Sequence, residues 1–192
     1  MKKFLAFTLI FFSIISNINA EEIKRIFVGN KDAKITIIAF ESLTCSHCAN
    51  FHKDVYPELK KNYLDTGLAK IEFRHFPLDI AAFNASKVAQ CNNDGDSKIL
   101  NSLFANQQKW VKGSSVAEAN ENLKKFLTSE GFNVDFEACI NNKEIEDFVL
   151  NDRIDGVKNY KISATPTIII NDKKFEKSLN FKNLKKALEK LI

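Results

Sequence analysis

The sequence has almost no net charge to spend on a polyanion. It carries 28 basic and 24 acidic residues, and Lys2 and Lys3 are the only charges among the first 20. Residues 21–192 therefore hold 26 positive and 24 negative groups, a net charge of +2. Such a balance argues against nucleic acid as a partner. The chain also has no repeats, no low-complexity tracts and no long linker. No second Cys-x-x-Cys or His pair accompanies the one at Cys45 to complete a four-ligand zinc site. Beyond the N-terminus no apolar run is long enough to span a bilayer. What remains is a globular composition, 45% hydrophobic and 27% charged. About 170 residues suit one domain with an insertion better than two full domains.

Residues 1–20 do not read as part of a fold. Lys2-Lys3 precede an apolar stretch, Phe4 to Ile15, and then Ser16-Asn17-Ile18-Asn19-Ala20. A charged start, a short apolar run and a small residue before a polar segment make a secretory signal peptide, cleaved after Ala20. The alternative is an uncleaved anchor, but a spanning helix needs roughly 20 apolar residues. No cysteine lies near the site, which disfavours a lipid anchor. The mature chain is expected in an oxidising space outside the cytoplasm, soluble, where disulfides persist.

Apolar periodicity organises the rest. Ile35 to Phe40 is nearly continuous and reads as a buried central strand. Cys48, Phe51, Val55, Tyr56, Leu59 and Tyr63 follow at helical spacing, with Pro57 expected to kink that helix. Ala69 to Phe76 reads as a second core strand. A long helical stretch comes next. Asp79 is expected to cap Ala81 to Cys91, which ends near Asn93-Asp94-Gly95, and Asp96 to cap the helix of Ile99, Leu100, Leu103 and Phe104. Ser115 and Glu118 form a capping box. Lys143 to Tyr160 is helical. Strand pattern returns at Thr167 to Ile170, with a turn at Asn171-Asp172 and a short strand over Lys174-Phe175-Glu176. Asn180 caps a last helix with Leu184, Ala187, Leu188 and Leu191 inward.

Chemistry is expected where the Ile35 strand hands over to the first helix. Cys45-Ser46-His47-Cys48 sits there. The first turn of a helix has unpaired amides and a positive dipole end, which favour a thiolate at Cys45. His47 adds a positive charge or a donor. Together these would lower the thiol pKa from about 8.5 to roughly 3.5–7.5. Each unit is worth about 1.4 kcal/mol, or roughly 30 mV in a two-electron couple, so the disulfide becomes oxidising. Cys48, one turn deeper, is the shielded partner. Competing readings are a structural Cys45–Cys48 bridge, a zinc site and an idle surface His47. His52 and His75 read as structural. Thr165-Pro166 stands just before a strand, as sterics permit. A cis bond there would present the Thr165 amide and carbonyl to an extended peptide, and a trans proline is the plain alternative.

The chain resembles the DsbA-like branch of the thioredoxin superfamily. The matching pieces are Phe40-Glu41-Ser42-Leu43-Thr44-Cys45-Ser46-His47-Cys48, Arg74-His75-Phe76-Pro77-Leu78, a helical insertion and Thr165-Pro166. The resemblance implies an α/β chain, a thioredoxin fold with an inserted helical domain. The core would be residues 21–78 and 161–192, and the insertion 79–160. It implies a cis Thr165-Pro166 bond, with Cys45 as nucleophile and Cys48 as its buried partner. It implies a disulfide donor in the periplasm, acting on reduced exported proteins and reoxidised by a DsbB-like membrane quinone reductase, as a monomer with no cofactor and no metal. Three positions depart from the family. Ser46 stands where proline is common, and Thr165 where the best-known enterobacterial members have valine. Ala39 stands where many relatives have a buried acid. Glu41 lies two residues on, on the same face by strand alternation, and is hypothesised to take over proton handling for Cys48.

Cys91 and Cys139 remain, and two leftover cysteines in an oxidising space usually pair. A structural disulfide is expected, the alternative being two buried thiols. The leading function is dithiol oxidation of exported proteins. A disulfide isomerase or reductase, a non-enzymatic envelope protein and a metal-binding chaperone are the rivals.

Overall fold

The computed structural model of the chain describes residues 23–91, 95 and 98–192. The expected signal peptide, Asn93-Asp94 and the Asp96 cap lie outside the described residues. Five strands form one mixed sheet in the order β1-β3-β2-β4-β5. They are β1 (Ile26–Gly29), β2 (Ile35–Glu41), β3 (Ala69–His75), β4 (Thr167–Ile170) and β5 (Lys173–Lys174). β2 is the middle strand, parallel to β3 and antiparallel to β4. Six of its seven residues are buried because both faces of the sheet are covered, and that is why its sequence is continuously apolar. β3 alternates strictly, with Ile71 and Phe73 on the buried face and Lys70, Glu72 and Arg74 on the other.

The β4–β5 hairpin turns through Asn171 (φ 42°) and Asp172 (φ 63°), residues that tolerate the left-handed region. This two-residue turn sets β5 at Lys173–Lys174, one residue earlier than the strand expected at Lys174–Glu176.

The helix after the motif is a composite. It runs as α1 (Ser46–Asn50), a π-helical turn Phe51–Val55, α2 (Tyr56–Leu59) and a second π-helical turn Lys60–Leu64. Pro57 falls in the first residues of α2. The change of hydrogen-bond register thus occurs where proline has no amide to lose.

Between β3 and β4 lie α3 (Ile80–Cys91), α4 (Lys98–Ala105), α5 (Gln107–Trp110), α6 (Val116–Ser129), α7 (Phe136–Asn141) and α8 (Lys143–Tyr160). Ala82, Ala85 and Ala89 give α3 a thin buried face, so its neighbours approach closely. α8 closes the other face of the sheet over Ile38, Phe40, Phe76 and Ile169. It does so through Gly156, where an added Cβ would meet the Phe40 ring at 3.0 Å and Phe76 at 3.2 Å. The reciprocal half of the expected capping box is displaced. The Glu118 amide donates to Ser115 Oγ at 3.2 Å, but the Glu118 carboxylate accepts from the Ser114 amide at 2.7 Å. Asn180 caps α9 (Phe181–Leu188), with Leu184 and Leu188 buried. Leu191, expected inward, lies past the helix end and is exposed, since no further turn carries it back to the sheet.

Candidate active site

β2 ends at Glu41, and Ser42, Leu43 and Thr44 carry the chain to Cys45, the N-cap of α1. Cys45 is extended (φ −78°, ψ 118°), so its side chain projects ahead of the helix rather than along it. Its carbonyl accepts from the Cys48 amide at 3.1 Å and the Ala49 amide at 3.2 Å. Across the site the Thr165-Pro166 peptide is cis, and the Cys45 thiol donates to the Thr165 carbonyl at 3.3 Å. Residues 120 apart in sequence thus meet at one sulfur.

Cys45 is half-buried and Cys48 fully buried, both as free thiols. The Cys45 pKa is lowered to about 5. The Cys48 thiol is the largest cause, donating to the Cys45 thiolate. Partial burial opposes it. The Thr165 side chain helps, as do the amides of Cys48 and His47. The expected helix-start effect is therefore present, but a side chain exceeds it. His47 is exposed, and its backbone amide is among the donors that lower the Cys45 pKa. The Cys48 pKa is driven far up, first by burial, then by its bond to Cys45 and by the Glu41 charge.

Glu41 is no ordinary strand-end charge. It is buried, 4% exposed, and its pKa is raised by that burial, with His52 pulling the other way. Its Oε2 lies 2.9 Å from His52 Nε2, while Oε1 has no hydrogen-bond partner. The His52 ring stacks on Phe104 of α4, with centroids 4.0 Å apart. His75 turns away from the site, its ring nitrogen 3.2 Å from Gln90.

Two grooves meet at the motif. One, of about 540 Å³, is lined by His47, Phe51, Thr165, Pro166, Leu179 and Phe181. The other, of about 960 Å³, lies between the composite helix and the α4–α5 region, with Thr44, Ser46, His52, Tyr56, Phe104 and Gln107 in its walls. Gln107 was invisible to sequence reading. Its amide donates to the carbonyls of Leu43 at 2.7 Å and Cys45 at 2.9 Å, so α5 holds the loop that presents the sulfur. Asp79 does a second job beside its expected cap, accepting from the Thr44 hydroxyl at 2.6 Å.

Cys91 and Cys139 form a disulfide between α3 and α7, their Cα atoms 5.5 Å apart. Among the described residues no three His, Cys, Asp or Glu side chains gather as a metal site, and no helix is long and apolar enough to cross a membrane.

The titration of Cys45 sets a stability prediction for the dithiol form. Its folded pKa lies below the ordinary thiol value, so its contribution is fully present above the unfolded pKa, near 9. That contribution is lost as pH falls toward 5. Discounted for the half-exposed position, it is on the order of 2 kcal/mol. The reduced protein is expected to melt about 3–6 °C above the oxidised one at pH 8. Melting curves of both forms should converge near pH 5, and a gap independent of pH would refute the assignment.

Residues 21–190 match the family model described as Thioredoxin. The chain is 27% identical over 169 residues to a Rickettsia bellii protein named as a protein-disulfide oxidoreductase, covering 86% of this chain and 63% of the relative. It is 27% identical over 175 residues to disulfide bond formation protein D of Bacillus subtilis, covering 85% and 75%. The chain thus spans about three-fifths of the length of the Rickettsia bellii relative. The crystal structure of alpha-DsbA1 from Wolbachia pipientis superposes with a TM-score of 0.77 at 29% identity, covering 87% of this chain and 90% of that one. BdbD from Bacillus subtilis shares the fold, with a TM-score of 0.66. With a mixed sheet of thioredoxin order, six helices among the described residues between β3 and β4, and a family match along nearly its whole length, the chain belongs to the thioredoxin family.

Proposed function

We propose that the protein is an exported thiol:disulfide oxidoreductase that donates the Cys45–Cys48 disulfide to reduced extracytoplasmic proteins. One arrangement carries this reading: a half-buried Cys45 sulfur at the start of α1, 3.3 Å from the Thr165 carbonyl and with its pKa lowered to about 5, backed by a buried Cys48. A low pKa makes Cys45 a good leaving group and stabilises the dithiol product, so the disulfide is the high-energy form.

In the reaction a substrate thiolate attacks Cys45, and Cys48 leaves. A mixed disulfide sits beside Thr165-Pro166, whose backbone amide and carbonyl are offered to an extended substrate. A second substrate thiol then attacks the substrate's own sulfur and releases Cys45 as thiolate. Residues 21–78 and 161–192 act as the thioredoxin core and 79–160 as an inserted helical domain that braces the motif. The leader of residues 1–20 sends the chain to the periplasm, where it works as a monomer. A DsbB-like membrane quinone reductase returns it to the disulfide.

Two measurements test this. Equilibration with glutathione is expected to give a potential above about −200 mV, far from the value near −300 mV typical of structural bridges. The oxidised protein is expected to oxidise a reduced two-cysteine peptide catalytically, with all activity lost in Cys45→Ala. A potential near that of thioredoxin, about −270 mV, would make the protein a reductase. No catalysed exchange at all would leave only the fold in common with its relatives.

A further inference from the structure

Charge is divided unevenly along the chain. Residues 172–192 hold seven lysines and three acids, a net charge of +4. Residues 21–171 hold 19 basic and 21 acidic side chains, a net charge of −2. The near-neutral total therefore conceals a basic surface. Lys173 and Lys174 form β5 at the sheet edge, and Lys182, Lys185 and Lys186 stand on α9. Lys177 lies between these elements and Lys190 just past α9. All seven are exposed. Lys185 pairs with Glu189 at 3.6 Å, and among the described residues the other six have no ion pair. The chain from Lys174 to Phe181 spans at most about 25 Å, so strand and helix present their lysines to one neighbourhood.

Two local roles cover part of this set. Lysines on an edge strand discourage pairing with another sheet, which accounts for Lys173 and Lys174. Cations in a last turn complement the helix dipole, which accounts for Lys185 and Lys186. Neither role reaches Lys177, Lys182 or Lys190. Lys182 stands in the first turn of α9, where the dipole opposes a cation and no acid offsets it. Leu184 and Leu188 face the core, and at about 3.6 residues per turn Lys182 and Lys186 lie on the opposite, outward side. Fold stability thus leaves this outward charge unexplained.

We propose that this surface docks the protein on an anionic lipid bilayer. Residues 172–192 contain no arginine. Lysine ammonium groups are point charges on flexible stems, and here they are spread over a strand, a loop and a helix. That suits a diffuse field of headgroup phosphates, not the fixed fork of a single bound carboxylate or phosphate. Leu191 and Ile192 follow Lys190 and are 44% and 70% exposed. Cations beside exposed apolar side chains suit the boundary between headgroups and acyl chains, which a soluble polyanion does not offer. α9 itself does not insert, since its apolar face is already buried in the core. It starts at Phe181, in the wall of the 540 Å³ groove. Docking therefore sets that groove beside the lipid surface. Under the disulfide-exchange reading this is where reduced exported chains emerge, but the docking does not depend on that reading.

Co-sedimentation of residues 21–192 with lipid vesicles tests the docking. The protein is expected to bind vesicles containing phosphatidylglycerol and not those of phosphatidylcholine alone. Binding should weaken as salt rises through about 150 mM, where the screening length is about 8 Å. Each lysine near an anionic surface contributes about fivefold to the partition coefficient. Lys182→Ala combined with Lys186→Ala should therefore lower it about 25-fold, while peptide oxidation in free solution and the Cys45 titration stay at wild-type values. Equal binding to both vesicle types, no binding to the anionic ones, or undiminished binding by the double variant would overturn the docking. So would tighter retention of the wild type by polyglutamate or DNA, which would assign the lysines to an acidic macromolecule. A wild-type protein that binds anionic vesicles but oxidises no peptide would support the docking and bring down the disulfide-exchange reading alone.

Discussion

Cys48→Ala is expected to raise the titration midpoint of Cys45 and to stop the catalytic cycle. Among the groups that hold Cys45 near pH 5, the Cys48 thiol is the largest contributor, ahead of the Thr165 side chain and the amides of Cys48 and His47. A hydrogen bond to a charged group is worth about 1.5–3 kcal/mol, which converts to about 1–2 pKa units. The thiolate absorbance of the variant should therefore titrate nearer to neutrality than that of the wild type. The backbone donors survive the substitution, so the midpoint should not return to the ordinary thiol range. An unchanged midpoint would mean that the helix start alone holds the anion. The same variant has no sulfur to release glutathione from Cys45. A mixed disulfide should accumulate and persist, and peptide oxidation should fall to the uncatalysed rate. Mass spectrometry of the stalled adduct checks this directly.

Replacing Cys91 and Cys139 together with alanine is expected to produce the largest loss of stability. Their bridge spans 48 residues, a loop whose closure restricts the unfolded chain by about 4 kcal/mol. For a chain of this size that corresponds to a fall in melting temperature of about 8–16 °C. Some of the α3–α7 contact survives, because Lys87 is buried between them and donates to the Ile140 carbonyl at 2.6 Å. Cys139 is buried, so its replacement also leaves a small void. The titration of Cys45 should not move, since the bridge joins α3 to α7 and neither cysteine is among the groups that set the Cys45 pKa. A melting temperature within 2 °C of the wild type would show that packing among α3, α6 and α7 holds the insertion without it.

The sequence by itself determined the sheet's core strands, the order of elements and the place of the reactive pair. A continuous Ile35–Phe40 run is suited to a strand covered on both faces, and the helical spacing from Cys48 to Tyr63 places the Cys-x-x-Cys at a helix start. Caps at Ser115 and Asn180 involve residues three apart, and such local chemistry is written in spacing. Boundaries were less legible, as at β5 and Leu191, because the hairpin register and the last turn depend on what the neighbouring strand and sheet leave to cover. The tertiary structure alone decided how the sulfur is charged. Cys45 meets Thr165 across 120 residues, Gln107 reaches the motif across 62, and Glu41 finds His52 at 2.9 Å. None of these pairs has a spacing that marks it. Each arises because folding removes water from a polar group, and that group must then find its partner wherever the packed chain happens to bring one.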